Sequence, residues 1–326
     1  MIDRPRVLPR RSGHGPNVHV DCSTTVGSLH LPHAVMTASG TAGHGDELSA
    51  YVDLSSLGAV VVKSLSAGPW AGNPAPRVHQ TPAGMINSVG LQGPGIEAWA
   101  AEELPALVAT GARVVVSIWG RSIGDYAEAA AAVADLPPEV IAVEVNVSCP
   151  NVEARHEMFA HSAEATRAVL EATAGVGRPR WAKLSPNVTA LVPIAAAAAE
   201  AGAEAVTLVN TVMGMVIDVE KRRPLLGGGG GGLSGPAMHP VAVRAVYDVH
   251  AALRDLPIVG VGGVASGSQA VELMMAGASA IQVGTATFAD PRASAIVMDE
   301  IEQWCRSHGI QRLGDLVGAA HDERLP

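Results

Sequence analysis

Eight short runs rich in β-branched residues, each followed by a stretch of helical character, leave few folds open to this chain. The runs are Ala34–Ala38, Ala59–Val62, Arg113–Ile118, Ile141–Val145, Trp181–Leu184, Ala205–Val209, Pro257–Val261 and Ala280–Val283. Between and after them, helices are expected at Asp46–Ser56, Ile96–Thr110, Ile123–Ala134, Ala163–Ala174, Val188–Ala201, Pro240–Leu253, Ser268–Ala276 and Arg292–His308, several of them Ala-rich and followed by Gly. Such alternation implies a parallel sheet. An open doubly wound sheet shares the pattern, but eight consecutive units with no break in composition fit closure into a (β/α)8 TIM barrel better. Ahead of them, Val18–Leu31 reads as two short strands around Thr24–Gly27, a hairpin that could plug one end of the barrel.

A single barrel needs a large apolar core, and 326 residues that are 48% hydrophobic and 16% charged supply one. Aromatic residues make up only 3%, so Val, Ile, Leu, Ala and Met must fill it. Residues 1–16, rich in Arg and Pro, read as a flexible tail before one domain spanning 17–326. The net charge of -9 argues against a nucleic-acid partner, which would require clustered Lys and Arg. No apolar leader and no apolar run of about 18 residues occurs, so a cytoplasmic protein with no membrane span is expected. Cys22, Cys149 and Cys305 lie far apart with no C-x-x-C pair, as suits a reduced compartment and no cysteine-bound metal.

Two long inserts break the regular spacing, Ser64–Gly95 after the second strand and Thr211–Gly235 after the sixth. In a barrel, loops that follow strands build the active face. Gly227–Gly232, inside the second insert, reads either as a mobile stretch or as a neutral low-complexity expansion. At the strand ends stand Ser39-Gly40, Lys63-Ser64, Ser117, Asn146, Lys183, Asn210-Thr211, Gly262-Gly263 and Gly284-Thr285. Polar and glycine residues thus converge on one rim. Only three of the 22 basic residues are Lys, and two of those three, Lys63 and Lys183, end barrel strands, where a compact ammonium can stabilise charge on a reduced cofactor. Three of seven Asn (Asn146, Asn151, Asn210) follow strands, and Asn87 lies in the first insert; their amides suit a ring edge that alternates N–H and C=O. Glycines after the last two strands lie where barrels hold phosphate on backbone N–H groups.

The segment Asn146-Val-Ser-Cys149-Pro-Asn151 resembles the N-x-S-C-P-N signature of class 1 dihydroorotate dehydrogenases. Gly72-Asn-Pro-Ala-Pro-Arg77, Gly84-Met-Ile-Asn87-Ser-Val-Gly90-Leu91, Lys183-Leu-Ser-Pro-Asn187, Asn210-Thr211, Gly232-Leu-Ser-Gly235-Pro and Gly262-Gly263 follow in that family's order. The likeness runs from about Val18 to Gly318 and is greatest to the 1B catalytic subunit. It implies FMN in the barrel mouth, contacted by Ser39, Gly40, Lys63, Ser64, Asn146, Lys183, Gly235, Gly262, Gly263, Gly284 and Thr285, with Lys183 beside the flavin N1/O2 edge. It implies (S)-dihydroorotate held by Lys63, Asn87, Gly90, Leu91, Asn146, Asn151, Asn210 and Thr211, with Cys149 as the base at C5 while a hydride passes from C6 to flavin N5. A thiol base predicts turnover that climbs toward alkaline pH.

The resemblance further implies a homodimer and admits a partner subunit carrying FAD and an iron–sulfur cluster, with NAD as final acceptor; a soluble acceptor such as fumarate is the alternative. Class 2 relatives are expected to carry Ser at the base and an N-terminal membrane helix, neither of which occurs here. The chain departs from the family where Val152–Met158 is charged rather than glycine-rich, at Gly93 in place of the usual Asn, and in the glycine run before Leu233. Competing readings are an FMN-dependent oxidoreductase of another dihydropyrimidine, whose signature resembles C-P-H rather than Cys149-Pro-Asn151, a tRNA dihydrouridine synthase, which needs a basic surface, and a non-catalytic flavin-binding subunit, which predicts flavin that substrate cannot reduce.

Overall fold

The computed structural model describes residues 19–149 and 158–321. The sixteen-residue tail and Asn151 lie outside that range. Eight parallel strands, Val35–Thr37, Val60–Val61, Val114–Ile118, Val140–Asn146, Arg180–Lys183, Ala205–Leu208, Ile258–Val261 and Ala280–Val283, follow one another round a closed barrel. Each falls on one of the eight runs read from sequence. The first and second strands meet through Gly58 N–H to the Val35 carbonyl at 2.8 Å and Thr37 N–H to the Ala59 carbonyl at 3.3 Å.

Six helices form much of the outer layer: Ile123–Ala134, Ala163–Ala172, Val192–Glu200, His239–Ala252, Gly267–Ala276 and Ala293–His308. Their starts obey local chemistry. Ser122 and Asp125 form a reciprocal cap, and Ser162 and Ser266 each accept an N–H from the first turn. Two expected helices differ. Asp46–Ser56 forms two single 3₁₀ turns, Glu47–Ala50 and Leu54–Ser56, because the Asp53 carboxylate captures Ser55 N–H and opens a new turn. Ile96–Thr110 splits into Ile96–Glu102 and Leu104–Ala109, with Pro105 in the first turn of the second piece.

The hairpin pairs Thr24–Val26 with Leu29–Leu31. Its turn is Gly27-Ser28, with Thr24 already in the strand, rather than the expected Thr24–Gly27. Val26 and Leu31 are fully buried against Met36, Val61, Val115, Ala142, Trp181, Ala205, Val259 and Ala280, the inward residues of the barrel's lower end. The hairpin therefore plugs the barrel. Two residues further along the strands, the same inward face carries Lys63, Ser117, Glu144, Lys183, Thr207 and Gln282. The interior thus changes from apolar to polar between one end and the other.

Over the polar end, the two long inserts combine. Val78–Thr81 and Gly84–Asn87 from the first pair with Val212–Gly214 and Gly231–Ser234 around the second in one four-stranded antiparallel sheet, with Gly232 opposite Asn87. The end of the glycine run, Gly231-Gly232, is part of this sheet rather than a neutral expansion. A Cβ at Gly231 would stand 2.4 Å from the Asn87 carbonyl oxygen, and one at Gly232 would stand 2.0 Å from Thr211 Oγ1. Close approach of the Asn87 backbone at the first and of the Thr211 side chain at the second demands glycine there.

Because the plug is remote from the polar end, Leu31→Ala is expected to lower stability by about 2–5 kcal/mol, the cost of a large-to-small core change. Urea unfolding would show it as a lower midpoint, with any bound chromophore's visible spectrum unchanged.

Candidate active site

Strand ends and inserts enclose a cavity of about 920 Å³. Its walls include Ser39, Gly40, Lys63, Ser64, Asn146, Lys183, Asn210, Thr211, Gly262, Gly263, Gly284 and Thr285 from the barrel rim, together with Asn87, Gly90, Leu91 and Gly235 from the inserts. Every site residue read from sequence is therefore on this wall except Cys149 and Asn151. The latter lies outside the described residues. The volume is that of a site for a cofactor-sized ligand.

The floor is built from charge. Lys183 Nζ lies 3.2 Å from Glu144 Oε1 and donates to Ser39 Oγ at 3.0 Å, while Gln282 Nε2 donates to Glu144 Oε2 at 2.8 Å. Glu144 and Gln282 are wholly buried and do not reach the cavity; Lys183 does. Burial pulls the Lys63 ammonium below its ordinary range, the nearby Cys149 opposes that, and the charge of Lys183 adds to it.

One wall is a chain of amides and hydroxyls. Asn146 Oδ1 accepts from Asn210 Nδ2 and from Ser148 N–H, each at 3.2 Å. Asn146 Nδ2 donates to Ser64 Oγ at 3.4 Å, and Ser64 shares a 2.9 Å hydrogen bond with Ser117. Asn187 binds the Thr211 carbonyl at 3.0 Å and accepts Met213 N–H at 2.8 Å, tying the sixth strand's insert to the rim. These contacts fix the amides in advance of any ligand.

Cys149 follows directly. Its side chain is fully buried behind the wall, and Sγ donates to the Asn146 carbonyl oxygen at 3.4 Å. The Tyr126 hydroxyl donates to the same oxygen at 2.7 Å, and its ring packs edge-on against Phe159 at 5.4 Å between centroids. Burial pushes the Cys149 thiol up to about 12, while the nearby Tyr126 hydroxyl and the charge of Lys63 act against that rise.

At the glycine end, His239 Nδ1 lies 2.8 Å from the Gly262 carbonyl oxygen and Nε2 lies 3.1 Å from Glu272 Oε2, so the ring braces the turn Gly262-Gly263. A Cβ on Gly263, whose φ is +67°, would stand 2.8 Å from the Gly235 carbonyl oxygen. Backbone from two loops is thereby brought close at the cavity wall.

Comparison with known proteins agrees with this geometry. The family profile described as "Dihydroorotate dehydrogenase" matches residues 22–304. The chain belongs to the dihydroorotate dehydrogenase family. It is 49% identical over 303 residues to a protein of Desulforudis audaxviator (strain MP104C), covering 93% of this chain and 98% of the relative. It is 45% identical over 300 residues to a protein of Geobacter sp. (strain M21), covering 92% and 98%. Both relatives carry the name "Dihydroorotate dehydrogenase B (NAD(+)), catalytic subunit".

Several residues at this dihydroorotate dehydrogenase-family site escaped the sequence reading. Glu144 and Gln282 carried a readable signal: each lies an even number of places from a rim residue on its strand (Asn146, Gly284), hence on the inward face. Asn187 sat in a quoted motif without a role. Tyr126 and His239 gave no local signal, since each reaches the site from a helix or its first turn.

Removing one member of the buried pair should cost far more than removing both. Lys183→Met is expected to lose about 3–5 kcal/mol by stranding the Glu144 carboxylate. Adding Glu144→Leu should recover most of it, and the two urea midpoints would decide the matter.

Proposed function

We propose that this chain oxidises (S)-dihydroorotate to orotate with FMN as its cofactor and Cys149 as its base. The observation that carries the reading is the segment Asn146–Cys149, which presents one amide to a cavity walled by Asn87, Asn210, Lys63 and Lys183 and puts a thiol directly behind it. The cavity suits FMN. Gly235, Gly262, Gly263 and Gly284 on the cavity wall, with the Thr285 side chain next to Gly235, would offer backbone N–H groups to the phosphate. Ser39, Gly40, Lys63, Ser64, Asn146 and Lys183 would hold the ring system. Bound FMN supplies the two-electron acceptor for the C6 hydrogen.

The protein's own part is recognition and proton transfer. Lys63, Asn87, Gly90, Leu91, Asn146, Asn151, Asn210 and Thr211 would hold the substrate. Asn side chains each offer a donor and an acceptor, matching alternating N–H and C=O groups on the ring, and the Lys63 ammonium would neutralise the substrate carboxylate. With the amides already hydrogen-bonded into one wall, little ordering remains on binding. Cys149 must lose its proton before it can take one from C5. Burial opposes that loss; Tyr126 and Lys63 favour it.

The names of the relatives include NAD(+) and "catalytic subunit", and they support a further step in which electrons leave for a partner subunit carrying FAD and an iron–sulfur cluster. This chain has three cysteines, too few to bind a four-cysteine cluster, so such a cluster belongs to another chain. A homodimer of the barrel and a cytoplasmic location complete the proposal. Among the described residues, no helix is long and apolar enough to cross a membrane.

The test is rapid mixing of the FMN-loaded protein with dihydroorotate under anaerobic conditions across a pH series. With the thiol pushed up to about 12, the thiolate fraction grows tenfold for each pH unit below that value. Flavin reduction should therefore accelerate with rising pH through the neutral range. Cys149→Ala is expected to keep FMN and reduce it roughly 10²–10⁴-fold more slowly, the scale of a lost general base. Reduction at the wild-type rate in that variant would contradict the role of Cys149.

A further inference from the structure

Glu144 is the one charged side chain of the strand Val140–Asn146, and it is wholly buried in the barrel interior. Its carboxylate is fully engaged. One oxygen meets Lys183 Nζ at 3.2 Å, and the other accepts Gln282 Nε2 at 2.8 Å. Because a carboxylate only accepts, it fixes the Gln282 amide with its NH₂ inward, and Gln282 Oε1 then faces Lys183 at 3.5 Å. Ser39 Oγ takes a second ammonium hydrogen at 3.0 Å. That makes Gln282 Oε1 the third and longest contact of the ammonium, and Lys183 is the only member of the Glu144–Gln282–Lys183 trio that lines the cavity.

A buried ion pair of this kind gains little stability over apolar residues of the same volume, because each ion gives up several kcal/mol of hydration on burial. Its location gives it another use. Two-electron reduction adds negative charge to the pyrimidine end of a flavin, and an ammonium beside that end favours the reduced form. A carboxylate behind the ammonium weakens that effect, since the two fields partly cancel. Glu144 also fixes position: without it, Lys183 loses its one carboxylate partner, 3.2 Å away.

We propose that Glu144 is a positioning residue that sets the reduction potential of bound FMN, by holding Lys183 in place and cancelling part of its charge. The proposal rests on the reading that FMN lies beside Lys183. Glu144 itself touches neither cofactor nor substrate. The carboxylate thus lowers the net charge of the floor, while Lys183 remains the member of the pair on the cavity wall.

The test is the midpoint potential of FMN bound to the purified protein, measured by dye equilibration, for wild type, Glu144→Gln, Glu144→Asp and the double variant Glu144→Leu/Lys183→Met. Glu144→Gln keeps the shape and removes the counter-charge. It should favour the reduced cofactor about tenfold or more, a rise of about 30 mV for a two-electron couple. Glu144→Asp keeps the charge and should stay close to wild type. The double variant removes the ammonium nearer the cavity along with its partner, and its potential should fall below wild type.

An unchanged or lowered potential in Glu144→Gln, with the double variant still lowered, would overturn the role of Glu144 and leave the place of Lys183 intact. Equal shifts in Glu144→Gln and Glu144→Asp would assign the effect to disturbed packing and also overturn it. An unchanged double variant would show that the pair does not sense the flavin, removing both the proposal and the reading beneath it.

Discussion

The barrel closes where its first and second strands exchange Gly58 N–H to Val35 and Thr37 N–H to Ala59, with Val61 N–H completing the seam on Thr37 Oγ1 at 2.8 Å. Without those contacts the parallel sheet would have two open edges. With them, all eight strands run the same way around an enclosed interior, so their C-terminal ends form one rim and their inward residues fall into layers. The two-residue period of a strand then assigns the chemistry. Ala142 lies in the apolar layer under the hairpin, Glu144 in the charged layer, and Asn146 on the cavity wall, all from one strand.

That layering sets what each end of the molecule is for. The lower end is dry, sealed by Val26 and Leu31, and contributes stability. The upper end spends burial on polar groups: Lys183, Glu144, Gln282, Ser117 and Thr207 are all inaccessible or nearly so. Lys183, Glu144 and Gln282 bond one another and Ser117 bonds Ser64, and these hydrogen bonds make the layer rigid. Rigid amides and an ammonium of fixed direction are what a planar, alternately donating and accepting ligand requires.

Sequence made the strands legible because they are short, β-branched and buried on both faces, a composition few other elements share. The rim residues followed from the strands by position. Where the reading failed, the cause was an interaction local to the turn or one far away in sequence. Asp53 redirected a helix by capturing Ser55 N–H, and Pro105 divided another. The sheet over the mouth joins Asn87 to Gly232, 145 residues apart, and no local pattern announces such a pairing. The glycine run looked like loose chain for the same reason: the backbone it accommodates belongs to the other insert. Glu144 and Gln282 could have been found by counting in twos from the rim, whereas Tyr126 depended on how its helix packs behind Asn146.

Everything proposed for the site converges on a flavin that dihydroorotate can reduce. The most direct measurement is an anaerobic titration of the FMN-loaded wild-type protein with dihydroorotate, following the visible absorbance of the flavin. The expected result is loss of that absorbance as substrate is added, with orotate appearing in equal amount. A protein that holds FMN and keeps its oxidised spectrum in excess dihydroorotate would contradict the assignment of substrate and base while leaving the barrel and its charged floor in place.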